Sequence, residues 1–142
     1  MKVKQLSIFL ENRKGRLLET TRILAENKIN IRALSVAETT GFGIVRLIVE
    51  ETERAYAILH DNKFTLEMTD VIAIEVDDQP GSLTRVLEVI SDNGLNLEYT
   101  YAFVERNKSK AVIIARIEDT ERAIQILQDN GIKTLTQKEL YQ

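Results

Sequence analysis

The feature that most constrains this chain is an internal repeat, because its first half aligns with its second half along the full length. At a shift of 66 residues, Gly15 aligns with Gly81 and Asn30 aligns with Asn96. After the turn at Gly41–Gly43 the shift grows to 67 and then to 68, where the tetrapeptide TERA occurs in both copies. A colinear series of matches indicates a tandem duplication, so the chain is one folding unit used twice.

Each copy has the pattern of a strand, a helix, two strands, a second helix and a last strand. Apolar residues alternate at Leu6, Ile8 and Leu10, which predicts a half-buried first strand. The first helix is clearest in the second copy, where apolar residues recur at helical spacing. The residues of this apolar stripe are Leu83, Val86, Leu87 and Ile90.

Residues at the helix ends support the same pattern. Gly94 predicts the end of the first helix in the second copy, because glycine readily adopts the left-handed conformation found there. Lys28 stands at the corresponding position of the first copy, where a lysine is expected to adopt this conformation less readily than glycine. Thr52 is predicted to be the N-cap of the next helix, with Leu59 facing inward.

The strands of the first copy follow from composition and turn signals. The second and third strands are predicted at about 30–38 and 43–49, joined by a glycine-containing hairpin turn. The last strand, near 64–68, runs almost directly into the first strand of the second copy at Val71. No linker rich in Pro, Gly or Ser separates the copies, so we expect them to pack as one rigid body.

This order of elements predicts an α+β fold made of two ferredoxin-like βαββαβ units. Each unit is expected to form an antiparallel sheet with its helices on one face. The predicted domains are residues 1–69 and residues 70–142. Because this topology serves many functions, the function has to be argued from the site.

Composition excludes several classes of function. The 142 residues include no cysteine and one histidine, which removes disulfides, thiolate zinc sites and most acid–base chemistry. The formal net charge of −3 argues against a nucleic-acid partner. No apolar run exceeds five residues, so no membrane association is expected. We therefore expect a cytoplasmic protein.

The loop between the first strand and the first helix of each copy is the most informative segment. Its glycine, Gly15 or Gly81, lets a ligand approach the backbone, and the helix that follows presents free N–H groups to a carboxylate or phosphate. Three residues earlier stands Asn12 or Asp78, a polar side chain that suits an ammonium group. The pattern thus favours a zwitterionic ligand. A purely structural interpretation, in which these residues only form turns and caps, stays open.

Both loop segments resemble a known family. Residues 11–17 with Asn30, and residues 77–83 with Asn96, are similar to the first loop, helix and second strand of ACT domains. These are the regulatory amino-acid-binding modules of phosphoglycerate dehydrogenase, aspartokinase and acetolactate synthase regulatory subunits. The resemblance covers essentially the whole chain. It implies two ACT units packed side by side, with the ligand between the first loop of one unit and the second strand of the other.

The resemblance also implies which residues contact the ligand. In the first copy these are Asn12, Arg13, Lys14, Gly15, Arg16, Leu17 and Asn30. In the second copy they are Asp78, Gln79, Pro80, Gly81, Ser82, Leu83, Asn96, Tyr99 and Tyr101. Ordinary strand packing is the alternative explanation for the tyrosines.

The two sites are not expected to be equivalent. Residues 1–67 carry 11 basic and 9 acidic side chains, whereas residues 68–142 carry 8 and 13. The first loop also has Lys14 where the family usually has proline. We expect unequal affinities for the ligand, or a single occupied site.

The expected function is that of a free-standing sensor that binds an amino acid, with no enzymatic activity, no cofactor and no metal. His60 is the only imidazole and aligns with Gln128, so no catalytic triad is indicated. RNA-recognition domains share the topology, but their central strands carry aromatic residues that are missing from 43–49 and 110–117. Two alternatives stay open: a regulatory subunit that docks on a separate amino-acid biosynthetic enzyme, as in acetolactate synthase, and a ligand-free assembly module. The resemblance also implies a homodimer.

Overall fold

A computed structural model of the chain describes residues 2–11, 13–105 and 109–141. It divides into two compact units. The first unit is Lys4–Thr69; the second begins at Asp70 and also takes in the N-terminal residues Lys2 and Val3. The repeated βαββαβ pattern, with antiparallel sheets and four helices, confirms the predicted fold class.

The first unit follows the predicted order of elements. It contains β1 (Val3–Glu11), α1 (Arg16–Glu26), β2 (Ile31–Thr39), β3 (Phe42–Val49) and α2 (Thr52–Asp61). Strand β3 is central and pairs antiparallel with both β1 and β2. A strand of 13 residues, β4 (Thr65–Asp77), completes this unit with its first part and opens the second unit with the rest.

The second unit repeats this arrangement. It continues with α3 (Ser82–Asp92), β5 (Leu97–Val104), β6 (Lys110–Ile117), α4 (Thr120–Asp129), β7 (Lys133–Leu135) and a short 3-10 helix at Glu139–Tyr141. Strand β6 pairs antiparallel with β4 and β5, and β7 pairs with the other edge of β4. The strand order β7-β4-β6-β5 matches that of a ferredoxin-like sheet.

Each unit has a hydrophobic core of its own, where its helices cover one face of its sheet. The first core is built around Leu6, Ile8, Leu24, Leu47 and Leu59. The second is built around Ile72, Ile74, Val86, Ile113 and Leu127. The alternation seen at Leu6, Ile8 and Leu10 is therefore the core-facing side of β1, as predicted.

The apolar stripe predicted a helix here, and α3 confirms it, although the stripe is only partly buried. Val86, Val89 and Ile90 are buried, whereas Leu83 is 46% exposed and Leu87 is 37% exposed. The helix therefore joins the core through Val86, Val89 and Ile90, and the two leucines stay partly exposed.

The helix ends confirm one prediction and correct another. Gly94 and Lys28 both have positive φ angles, 67° and 58°, as expected. Thr52, however, is the first residue of α2, and the N-cap is Glu51. The Thr52 hydroxyl donates backwards to the Val49 carbonyl at 3.5 Å, so it does not cap the helix. None of the helices in the described residues has the length or apolar run that crossing a bilayer requires.

Candidate functional site

The loop that joins β4 to α3 is a tight turn closed by its own backbone. The Gln79 N–H donates to the Asp77 carbonyl at 2.9 Å, and the Ser82 N–H donates to the Gln79 carbonyl at 3.3 Å. Gly81 adopts φ 89°, the left-handed region. No atom lies within 4 Å of where a Cβ at Gly81 would be. The backbone conformation, and not crowding, therefore favours glycine here.

The N-terminus of α3 has no side-chain cap, because its N-cap is Gly81. The Arg85 N–H is the first to donate within the helix, to the Gly81 carbonyl at 3.0 Å. The N–H groups of Leu83 and Thr84 come before it in the first turn, where a helix leaves its donors unpaired. These two donors, at the positive end of the helix dipole, suit a carboxylate.

A groove of about 350 Å³ lies between this loop and β5, and we call it the loop groove. Its polar residues are Asp77, Asp78, Gln79, Ser82 and Thr100, and Leu83, Tyr101 and Ala102 complete the lining on the side of α3 and β5. The apolar floor is formed by Val76, Ala111 and Ile113. A ligand of this groove would meet hydrogen-bonding groups on one side and an apolar surface on the other.

Asp78 and Asp77 differ in how they are paired. The Asp77 carboxylate accepts a hydrogen bond from the Lys110 ammonium, and this contact raises the pKa of Lys110. Asp78 is fixed through its backbone, whose N–H donates to the Ser109 carbonyl at 2.9 Å. Its carboxylate makes no ion pair or side-chain hydrogen bond within the described ranges. Asp78 is therefore the acid in this loop whose carboxylate is not already paired within the described ranges.

The structure separates several of the predicted site residues within the second unit. Asn96 stands before β5 and lines another cleft, together with Glu118 and Arg122. Tyr99 and Tyr101 lie opposite Arg116 and Ile114 on β6. A shift of register after Leu97 places Thr100 and Ala102 opposite the β6 residues that face the helices. The tyrosines alternate with Thr100 and Ala102 along β5; Tyr101 lines the loop groove beside them, whereas Tyr99 is outside its lining.

A second cleft lies on the opposite side of the same loop, and we call it the helix-end cleft. It has a volume of about 480 Å³ and is bounded by the start of α3 and by the end of α4 as it leads into β7. Pro80 and Gly81, both predicted site residues, line this cleft and not the loop groove. Arg85 is at its edge and donates to the Asn130 carbonyl at 2.8 Å.

The first copy fills the corresponding place with its own side chain. Arg16, which aligns with Ser82, has its guanidinium 4.1 Å from the centre of the Phe64 ring. It also forms ion pairs with Glu11 at 3.4 Å and Glu19 at 3.1 Å, and its side chain is only 11% exposed. Arg16 is thus committed to contacts within its own unit. The ion pair between Arg16 and Glu19 was not predicted from the sequence, although a spacing of three residues is typical of such pairs on a helix.

The other predicted residues of the first loop vary in their contacts. Arg13 forms an ion pair with Glu11 at 3.0 Å, and Gly15 adopts φ 85°, as Gly81 does. Leu17 is 38% exposed and Lys14 is exposed. Asn12 lies outside the described residues. Asn30 directly precedes β2, as Asn96 precedes β5.

The histidine and the acidic residues bear on catalytic and metal chemistry. His60 is exposed and stacks on Tyr56 with ring centres 6.0 Å apart. Across residues 2–11, 13–105 and 109–141, no group of three or more His, Cys, Asp or Glu side chains is arranged to hold a metal ion.

Comparison with known proteins places this architecture. A family model described as an ACT domain pair matches residues 1–142. The crystal structure of protein BT0572 from Bacteroides thetaiotaomicron is 41% identical, with a TM-score of 0.92, and the match covers 100% of this chain and 97% of that one. The ligand-free regulatory subunit of aspartate kinase from Thermus thermophilus is 13% identical, with a TM-score of 0.66 and coverage of 89% and 91%. The second likeness shows the fold alone. No curated protein sequence matches the chain.

Proposed function

Because the chain belongs to the ACT domain pair family, a family of regulatory domains, we propose that it is a sensor that binds a free amino acid in the loop groove. The observation that supports this most directly is that one groove is lined both by Asp78, whose carboxylate is unpaired within the described residues, and by the uncapped start of α3. The Asp78 carboxylate suits the ammonium group of an amino acid, and the Leu83 N–H at the start of α3 suits its carboxylate. The proposal assigns binding and no catalysis to these residues, with no cofactor or metal.

The rest of the groove suits the side chain of such a ligand. Ile113 and Leu83 provide apolar contact, and Thr100 provides a hydroxyl oxygen whose proton is already donated to the Ile114 carbonyl at 2.8 Å. A volume of about 350 Å³ lies within the range of small-molecule sites. By the resemblance, a second ACT unit would add another wall, and the test below holds whichever unit supplies it.

The proposal favours the second copy over the first. Asn12 aligns with Asp78, so the first loop has no acid at the position proposed to meet the ammonium group. Arg13 and Arg16 add positive charge there, although both are paired with Glu11. We therefore expect one amino acid bound per chain at moderate ligand concentration.

A second candidate function adds a protein partner to the same ligand. Leu83, Leu87 and Val104 are 46%, 37% and 61% exposed on α3 and β5, the two elements that border the loop groove. Exposed apolar residues on adjoining elements favour contact with another protein. That partner would be a separate biosynthetic enzyme or a second copy of this chain. The ligand would regulate it only by binding more tightly to one state of the assembly.

The test is a thermal-shift screen of the 20 amino acids, with each hit measured by calorimetry. A ligand at 100 times its dissociation constant should raise the free energy of unfolding by about 2.7 kcal/mol, a shift of several degrees. Asp78→Asn should weaken binding by about tenfold or more, because a charge-assisted hydrogen bond is lost. Asp92→Asn, at the far end of α3, is the matched control and should leave the affinity unchanged. Equal affinity in wild type and Asp78→Asn, or a screen without a hit, would contradict the proposal.

A further inference from the structure

The helix-end cleft differs in charge and in filling from the same place in the first copy. In the first copy a guanidinium, from Arg16, occupies the position between Glu11 and Glu19. In the second copy the aligned residue is Ser82, and the position aligned with Glu19 carries Arg85. The first copy therefore supplies its own cation to two acids. In the second copy the shorter Ser82 leaves a cleft, and the position of the second acid is occupied by an arginine, Arg85.

The two acids that line the cleft have ion-pair partners, whereas Arg85 does not within the described residues. Glu75 is paired with Lys133 at 3.4 Å, and Asp77 accepts from Lys110. Both acids are thereby neutralised by lysines of the same lining. Arg85 makes no ion pair with a carboxylate in the part of the chain that the structure describes. Its one hydrogen bond goes to a backbone carbonyl, so most of its five N–H donors stay available.

We propose that the helix-end cleft is a second binding site, which takes the carboxylate or phosphate group of a small molecule on Arg85. The Ser82 hydroxyl and the Gln79 side-chain amide line the same cleft, and neither has a hydrogen-bond partner in the described residues. A guanidinium with two neighbouring neutral donors matches the planar oxygens of an oxyanion. The volume of about 480 Å³ leaves room for a ligand larger than the anionic group itself.

The cleft and the loop groove share Gln79 and Ser82 in the loop between them, and each also has residues that line it alone. Asp78 and Thr100 line only the loop groove, whereas Arg85 and Lys133 line only the helix-end cleft. Variants at Asp78 and at Arg85 therefore test the two sites separately. Failure of one proposal leaves the other standing.

The structure offers a matched control for a merely structural role of Arg85. Arg122 on α4 donates to the Asn93 carbonyl at the end of α3, at 3.2 Å. Arg85 on α3 makes the reciprocal bond to Asn130 at the end of α4. Each arginine is exposed and holds one helix-end carbonyl. Arg122, however, lies beside the acids Glu118 and Asp119, where an anion is not favoured.

The experiment is a titration of the full chain with inorganic phosphate and, separately, with succinate, at constant ionic strength, followed by amide NMR shifts. We expect saturable shifts at Gln79–Arg85 and at Gly131–Lys133. Arg85→Gln should weaken binding by about tenfold or more, while Arg122→Gln and Asp78→Asn should change it by less than about twofold. The tighter of the two probes identifies the anionic group as phosphate or carboxylate.

A double variant tests the site in a second way, by filling the cleft with a side chain. Ser82→Arg combined with Arg85→Glu rebuilds the Arg16–Glu19 pair of the first copy and should abolish binding with the fold intact. Shifts that do not saturate, or equal losses in Arg85→Gln and Arg122→Gln, would overturn the proposal. So would undiminished binding in the double variant.

Discussion

Arg16 and Ser82 occupy the same place in the repeat, and this one difference decides whether the place is filled. The Arg16 side chain lies between an aromatic ring and two carboxylates, with little solvent around it. Ser82 is too short to reach the corresponding groups. A ligand site can thus differ between two copies of one fold through a single side chain, while the backbone keeps its left-handed glycine in both.

We predict that Arg16→Ala lowers the free energy of unfolding by about 1–2 kcal/mol, because it removes a cation–π contact and the partner of two acids. Arg16→Lys should cost less, since it keeps the charge and loses the planar stacking on Phe64. Urea denaturation of the three proteins measures both effects. Arg13→Ala is the control: its side chain is 61% exposed, so its loss should be smaller. Equal losses in the two alanine variants would contradict this account.

At the scale of elements, the two copies end their helices with different residues in the same conformation. Lys28 and Lys63 adopt φ 58° and 70° in the first unit, where Gly94 and Gly131 adopt 67° and 73° in the second. A lysine side chain pays a steric cost in this region that glycine does not. The first unit thus carries strain at two helix ends that the second unit avoids.

We predict that Lys28→Gly stabilises the protein by about 0.5–1 kcal/mol, and that Gly94→Ala destabilises it by about 1 kcal/mol. The Gly94 site has open space for a Cβ, so the cost comes from the backbone angle alone. Thermal unfolding of the two variants checks the opposite signs. Ala25→Gly, inside α1, is the control and should destabilise, because glycine in a helix interior costs stability. A loss of stability in Lys28→Gly would contradict the conclusion that the Lys28 backbone is strained.

The order and nature of the elements could be predicted because each signal is local. Alternation in β1, the helical stripe of α3 and the glycine after it all lie within a few residues of what they determine. The exposure of Leu83 and Leu87 could not be predicted, since it depends on how α3 lies across the sheet. Part of the candidate site could also be predicted, since the turn at Pro80-Gly81 depends on its own residues. The hydrogen bond from Arg85 to Asn130, 45 positions later, could not.

At the scale of the whole molecule, charge is divided unequally between the copies, and ion pairs at the surface set how stability responds to pH. Bonds from Arg13, and to a lesser extent the charge of Arg16, lower the pKa of Glu11 from its ordinary value of 4.5. The Thr136 backbone and hydroxyl lower the pKa of Glu139 in the same way. The pKa of Lys2 is raised from 10.5, chiefly by its bond to Glu121. Asp77 raises that of Lys110.

We predict that the free energy of unfolding is flat between about pH 5.5 and 9.5 and falls on both sides. The two carboxyls have lowered pKa values, so their contribution is complete above 4.5 and is lost as the pH falls through the folded values. The two lysines have raised pKa values, so theirs is complete below 10.5 and is lost as the pH rises. Urea unfolding from pH 3 to 11 measures the curve. Glu139→Gln should make the acid side shallower, and a maximum of stability below pH 4 would contradict the prediction.

The reciprocal bonds of Arg85 and Arg122 have a consequence for motion. Each of the two helices of the second unit has its last carbonyl held by a side chain of the other. A helix usually frays from its end without involving its neighbours. Here the C-terminal end of each helix is bonded to an arginine near the start of the other, so fraying at either end has to break a hydrogen bond between α3 and α4. The loop groove and the helix-end cleft both border α3, and fluctuations that reach one of them reach the other at the same time.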